Sequence, residues 1–204
     1  MYINHDKKFI FVHVPKTAGS SIHIFFKDFF SVLDRSDPLP KLHHQSITSI
    51  LRKYPDCTDY FKFAVTRNPY DRFLSGWRDF YQNRNRERSS HPNLLDDNST
   101  FEKFCLEFTN SPWSEDIHFI PQYKLLTENG EIKVDKIIKF ESLKNDLKEV
   151  FDLLDLPMEN FNKQVKHRET YKQSKSYNEY YNDSTKKIVA SFFKQDLELF
   201  NYEF

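Results

Sequence analysis

Apolar and polar positions fall along this chain in blocks of two kinds. Short runs rich in aromatic and β-branched residues read as strands: Phe9-Ile-Phe-Val-His-Val14, Tyr60-Phe-Lys-Phe-Ala-Val-Thr66 and Val134-Asp-Lys-Ile-Ile-Lys-Phe140. Between and beyond them, apolar residues recur at helical spacing. Ile22, Phe25, Phe26, Phe29 and Phe30 follow the first run, and Ile47, Ile50, Leu51 and Tyr54 form a second, shorter face. After the second run, Tyr70, Phe73, Leu74, Trp77, Phe80 and Tyr81 line one side of a helix, with Asp71, Arg72, Ser75, Arg78 and Asp79 on the other. Later helices carry Phe101, Phe104, Cys105 and Phe108 behind a Ser99 cap, and Leu143, Leu147, Val150, Phe151 and Leu154 from Ser142. A last one, starting near Asp183 or Ser184, buries Ile188, Val189, Phe192, Phe193 and Leu197 or Phe200. Strands alternating with helices predict an α/β fold with a central, mainly parallel β-sheet flanked by helices, in one domain over residues 1–204.

Ligands of such folds lie at the carboxyl ends of the strands. Two of those ends are polar. The first strand runs into Pro15-Lys-Thr-Ala-Gly-Ser-Ser21, a tight turn that opens a helix. That order aims main-chain N–H groups at one point, with Lys16 and the hydroxyls of Thr17, Ser20 and Ser21 beside them, which is the chemistry of an anion site. The second strand runs into Arg67-Asn-Pro-Tyr-Asp-Arg-Phe-Leu-Ser75, where Asn68 suits an N-cap and Pro69 the first helical position. The chain has only three glycines, so Gly19 in the first turn and Gly76 inside a helix stand out; Gly130, in Glu128-Asn-Gly-Glu131, is a turn signal.

The first turn is not the usual nucleotide-triphosphate loop, because Lys16 precedes the glycine and no second glycine is present. Nor does an aspartate end the second strand to hold magnesium, which disfavours a magnesium-dependent kinase. Thirty Lys and Arg balance thirty Asp and Glu, so the basic footprint of a nucleic-acid binder is missing. Cys57 and Cys105 are the only cysteines, too few for a disulfide framework or a cysteine metal site, and they fit a reducing compartment. No run approaches the ~20 apolar residues of a membrane span. These features predict a soluble, cytoplasmic chain without a nucleic-acid partner and without a metal; its oligomeric state is not legible.

At the two polar junctions the sequence resembles the sulfotransferases that use 3′-phosphoadenosine 5′-phosphosulfate, in particular the carbohydrate-type sulfotransferase family 2. Val12-His-Val-Pro-Lys-Thr-Ala-Gly-Ser-Ser21 is similar to that family's 5′-phosphosulfate loop, and Phe61 to Ser75 to its 3′-phosphate segment. His44-Gln-Ser-Ile-Thr-Ser-Ile50, His118-Phe-Ile-Pro-Gln122, Ile138-Lys-Phe-Glu-Ser-Leu143 and the closing Asp196 to Phe204 extend the likeness nearly end to end.

The resemblance implies a P-loop-like sulfotransferase fold and sulfuryl transfer to a hydroxyl, with a carbohydrate as the acceptor and the 3′,5′-bisphosphate nucleotide (PAP) as product. Lys16, Thr17, Ala18, Gly19, Ser20 and Ser21 are then the 5′ site, and Arg67 with Ser75 the 3′-phosphate site. Lys16 would also offset charge on the leaving phosphate, and His44 would be the base, kept neutral by the start of a short helix. His43 is its neighbour and rival. His43, His118, Arg84 and Arg86 are candidates for acceptor contact, and His13 is a core or site-lining residue. Arg168, Lys172 and Lys175 are candidates for a lid. Two other readings stay open here: a small-molecule kinase with an irregular P-loop, and a catalytically silent nucleotide- or glycan-binding module.

Overall fold

The structure is a computed structural model and describes residues 2–26, 44–83, 100–157 and 176–204. Its strands are β1 (Tyr2–Asn4), β2 (Phe9–Val12), β3 (Phe61–Thr66), β4 (Thr127–Glu128), β5 (Glu131–Ile132) and β6 (Lys136–Lys139). Its α-helices are α1 (Gly19–Phe26), α2 (Ile47–Lys53), α3 (Pro69–Asn83), α4 (Phe101–Glu107), α5 (Tyr123–Leu126), α6 (Leu143–Leu153), α7 (Asp183–Phe192) and α8 (Lys194–Leu199). The chain divides into two compact units, residues 1–67 with 122–172 and residues 68–121 with 173–204.

The first unit is built on a four-stranded sheet in the order β1-β2-β3-β6, parallel except for the antiparallel edge pair β1-β2. All four residues of β2 are buried, which is why its sequence is apolar without alternation. Phe9, Phe26, Phe63 and Phe151 interlock with ring centroids 4.9–6.0 Å apart, and α6 adds Leu147 and Val150. The parallel strands stop at Val12, Thr66 and Lys139, so the 13–18 loop, Arg67 and Phe140 leave the sheet at the same edge. A cavity of about 540 Å³ beside Lys62 and Asp135 belongs to the opposite edge, where β3 and β6 begin.

β1 has no counterpart among the predicted strands: three residues carry too little periodicity to announce themselves. The β4–β5 hairpin does follow its signal. Asn129 (φ 52°) and Gly130 (φ 82°) both take the left-handed region, as a two-residue turn matching strand twist requires.

The second unit packs α3, α4 and α7 around Phe73, Phe104, Phe108, Trp113, Phe119 and Phe193. α3 begins as predicted, with the Asn68 side chain accepting from the Tyr70 N–H at 3.1 Å. The cap of α4 is Thr100, not Ser99: its hydroxyl accepts from the Lys103 N–H at 3.2 Å. A second correction concerns Arg72, placed by helical spacing on the polar face of α3 but only 1% exposed. Its Nη2 donates to the carbonyls of His118 (3.2 Å) and Ile120 (2.6 Å), and its guanidinium lies 5.7 Å from the Phe193 ring. The 116–121 segment covers that flank of the helix, and a period cannot reveal a segment so distant in sequence. The same cover explains Gly76, where a Cβ would come within 2.6 Å of the Phe119 ring.

Both cysteines are buried and free. Burial pushes the Cys105 thiol up to about 12, with the Glu102 carboxylate adding to the shift. Burial likewise raises Tyr70 and, further, Tyr181, whose hydroxyl donates to the Tyr70 carbonyl at 2.8 Å. These folded-state values exceed the unfolded ones, so the unfolded chain releases protons first as pH rises. The stabilisation they bring is complete below about pH 9 and is lost as pH climbs through the folded values. Denaturant unfolding from pH 7 to 11 is therefore expected to show stability falling above about pH 9, with a shallower fall in Tyr181→Phe.

Candidate active site

The 13–18 loop is shaped by its backbone. Lys16 (φ 65°) and Ala18 (φ 67°) both adopt the left-handed region although neither is glycine. Each such residue costs on the order of 1–3 kcal/mol and persists only where its surroundings enforce it. Here the Thr17 side chain is fully buried and its hydroxyl donates to the Val14 carbonyl at 2.9 Å. The Ala18 carbonyl accepts from the N–H groups of Ser21 (2.8 Å) and Ile22 (3.0 Å), which starts α1. The N–H groups of Gly19 and Ser20 therefore sit in the first turn, where a helix supplies no acceptor and presents its positive end. No acidic residue occupies that turn to offset the charge. Lys16 is half-buried and Ser21 is buried. The result is a strained loop that gathers donors and one ammonium group at the end of β2.

Gly19 is a glycine because of His13. A Cβ at position 19 would lie 1.6 Å from Nε2 of His13, so the two positions cannot both carry bulk. Gly19→Ala is expected to cost about 1–3 kcal/mol by overpacking, measured by denaturant unfolding, and adding His13→Ala should remove that cost.

The His13 carbonyl also faces Nδ1 of His44 at 3.2 Å, and the two imidazoles have centroids 4.5 Å apart at an angle of 54°. A carbonyl can only accept, so the proton of a neutral His44 is assigned to Nδ1 and its Nε2 is left as an acceptor. α2 begins at Ile47, where the helical spacing in the sequence begins. Its cap is Ser46, whose hydroxyl accepts from the Ser49 N–H at 3.2 Å, so His44 stands before the cap and outside the first turn. The backbone of His13, rather than the helix end, thus sets its tautomer. Next to it, Oε1 of Gln45 is buried and has no hydrogen-bond partner among the described residues.

Arg67 is 5% exposed, with Nη1 donating to the Lys16 carbonyl at 3.1 Å and the guanidinium 4.1 Å from the Phe140 ring centre. Its main chain is held at both ends by one side chain. The Arg67 N–H donates to Oε1 of Gln122 (3.0 Å), and Nε2 of Gln122 donates to the Arg67 carbonyl (2.9 Å). Gln122 and Phe140 were not among the candidate site residues, although the Phe-Ile-Pro-Gln and Lys-Phe-Glu-Ser stretches that carry them were the available signal.

In the second unit, Ser75 is half-buried on α3, on a face shared with Asp71 and Arg78. Nδ1 of His118 lies 2.8 Å from Oδ1 of the buried Asp116, and the His118 N–H donates to the same oxygen at 2.8 Å. The ring is fixed edge-on to Phe80, 5.2 Å between centroids. His43, Arg84, Arg86, Arg168, Lys172 and Lys175 lie outside the described residues.

A profile described as the sulfotransferase family matches residues 1–203. The chain belongs to the sulfotransferase family. Membership makes it an enzyme of sulfuryl transfer, with 3′-phosphoadenosine 5′-phosphosulfate as the implied co-substrate and an acceptor as the second substrate. None of the curated proteins matches the chain. In this sulfotransferase the first unit gathers Lys16, Thr17, Gly19, Ser21, His44 and Arg67 around the ends of β2 and β3, while Ser75 and His118 belong to the second unit. Among the described residues no group of three or more His, Cys, Asp or Glu is placed to hold a metal ion. No helix among them is long and apolar enough to cross a membrane.

Proposed function

We propose that this sulfotransferase moves the sulfuryl group of 3′-phosphoadenosine 5′-phosphosulfate to a carbohydrate hydroxyl by in-line displacement, within a single catalytic domain. The donor supplies an activated sulfur–oxygen bond whose leaving side is the 5′-phosphate. The donor set of the first unit fits such a group. Lys16, the main-chain N–H groups of Gly19 and Ser20 and the positive end of α1 suit the 5′ anion. The Thr17 hydroxyl, whose proton goes to Val14, serves as a brace within the loop.

Arg67 is proposed for the 3′-phosphate together with Ser75. Its planar fork of five N–H donors matches a phosphate's oxygens, and one of the five donates to the Lys16 carbonyl. His44 takes the acceptor's proton on Nε2 as the new sulfur–oxygen bond forms and the bond to phosphate breaks. Lys16 meets the charge that appears on the departing oxygen. His118, its ring set by Asp116, is proposed to contact the acceptor.

One observation carries this reading: Nδ1 of His44 is held by the carbonyl of His13, the residue through which β2 enters the Lys16 loop. The test is transfer of label from sulfur-labelled donor to a panel of saccharides, phenols, peptides and lipids, with phosphorus-labelled ATP and magnesium in parallel. Labelled saccharide from the sulfur donor is the expected result. Label on a phenol, peptide or lipid alone overturns the acceptor class, and label from ATP alone overturns the donor.

A further inference from the structure

We propose that His13 is a positioning residue for sulfuryl transfer, its ring acting as a spacer that ties the setting of the 15–21 loop to the place of His44. This inference rests on His44 as the base. The His13 imidazole is backed by the core: it stacks on Phe11 at 5.9 Å and 23°, and on Tyr2 at 6.4 Å and 30°, and Phe11 is fully buried. Its Nε2 lies where a side chain at position 19 would begin, so the ring also touches the first residue of α1. It also faces the His44 ring, 4.5 Å away between centroids.

A displacement of the ring toward the core would have to move Phe11. A displacement the other way would have to move Gly19 or His44. The ring therefore transmits position between the anion loop and the base as a hard contact.

The contact supplies what the hydrogen bond cannot. Nδ1 of His44 against the His13 carbonyl fixes one point of the imidazole, about which the ring can still swing. The adjoining ring restricts that swing and so sets where Nε2 stands relative to the loop that carries Lys16. Displacing a reacting group by about 1 Å can cost on the order of 100-fold in rate. The spacer thus acts on turnover through His44 and leaves anion binding by the loop's main chain nearly untouched.

A double-mutant cycle tests this on the full chain. His13→Ala is expected to lower kcat about 10- to 100-fold. Its dissociation constant for adenosine 3′,5′-bisphosphate, read by calorimetry, should stay within about 3-fold of wild type, and His13→Ala/His44→Ala should be within about 2-fold of His44→Ala alone. Should His13→Ala fail to bind the nucleotide, His13→Asn carries the same comparison with less volume lost. Wild-type turnover in the His13 variant, or a double variant slowed by the product of the two single effects, overturns the spacer. Wild-type turnover in His44→Ala overturns the base instead, and the spacer with it, so the two failures are told apart by the His44 single variant.

Discussion

Lys16→Met is expected to lower kcat by about 10²- to 10³-fold while changing the affinity for adenosine 3′,5′-bisphosphate by less than about tenfold. The asymmetry follows from when the charge develops. The product nucleotide already bears its full phosphate charge, and in the proposed site main-chain donors and Arg67 would hold it as well as the ammonium group. The oxygen that leaves sulfur gains its charge only as the bond breaks, and a preorganised cation beside it stabilises that moment more than the ground state.

The loop gives Lys16 a fixed origin. Its φ of 65° is enforced by the Arg67 bond to its own carbonyl and by the buried Thr17 brace on Val14. Methionine keeps the length of the side chain and adds no β-branch to that left-handed position, so the substitution removes charge and little else. Steady-state transfer from labelled donor, with calorimetry of the product nucleotide, makes the comparison. Equal losses in kcat and in nucleotide affinity would reduce Lys16 to a binding charge.

Much of this arrangement is legible in the amino-acid order, because it lies in local pattern. The apolar runs at Phe9, Tyr60 and Val134 and the helical spacing after each specify strands, helices and the sheet edge where ligands bind. Asn68 and Pro69 announce the start of α3, and Asn129-Gly130 announces a hairpin turn. What is not legible depends on a partner remote in sequence. His13 and His44 stand 31 positions apart, and Arg67 and Gln122 stand 55 apart. Arg72 looks solvent-facing until the 116–121 segment is laid over it. Gly19 shows the limit most clearly. Its rarity marks the position, but its φ is not left-handed, and the reason for a glycine is the imidazole pressed against it.

His44→Asn is expected to cost about 10²- to 10⁴-fold in kcat, the range of a general base, with the affinity for adenosine 3′,5′-bisphosphate unchanged within about 2-fold. Asparagine is the informative replacement because its amide N–H can still donate to the His13 carbonyl that now faces Nδ1 at 3.2 Å. The anchor is kept and the nitrogen that would receive the proton is lost. A purely structural His44 predicts the opposite: with its hydrogen bond retained, the variant would turn over near the wild-type rate.

The pH profile of kcat separates the two further. A base must begin deprotonated, so wild-type turnover falls on the acid side, and that fall should flatten once His44 is replaced. The same measurement in His118→Asn guards the assignment. Asp116 orients that ring as well, through the 2.8 Å contact at Nδ1, and leaves its Nε2 as an acceptor. Should the acid limb survive in His44→Asn and vanish in His118→Asn, the base would be His118, and the His13 carbonyl would be holding a bystander.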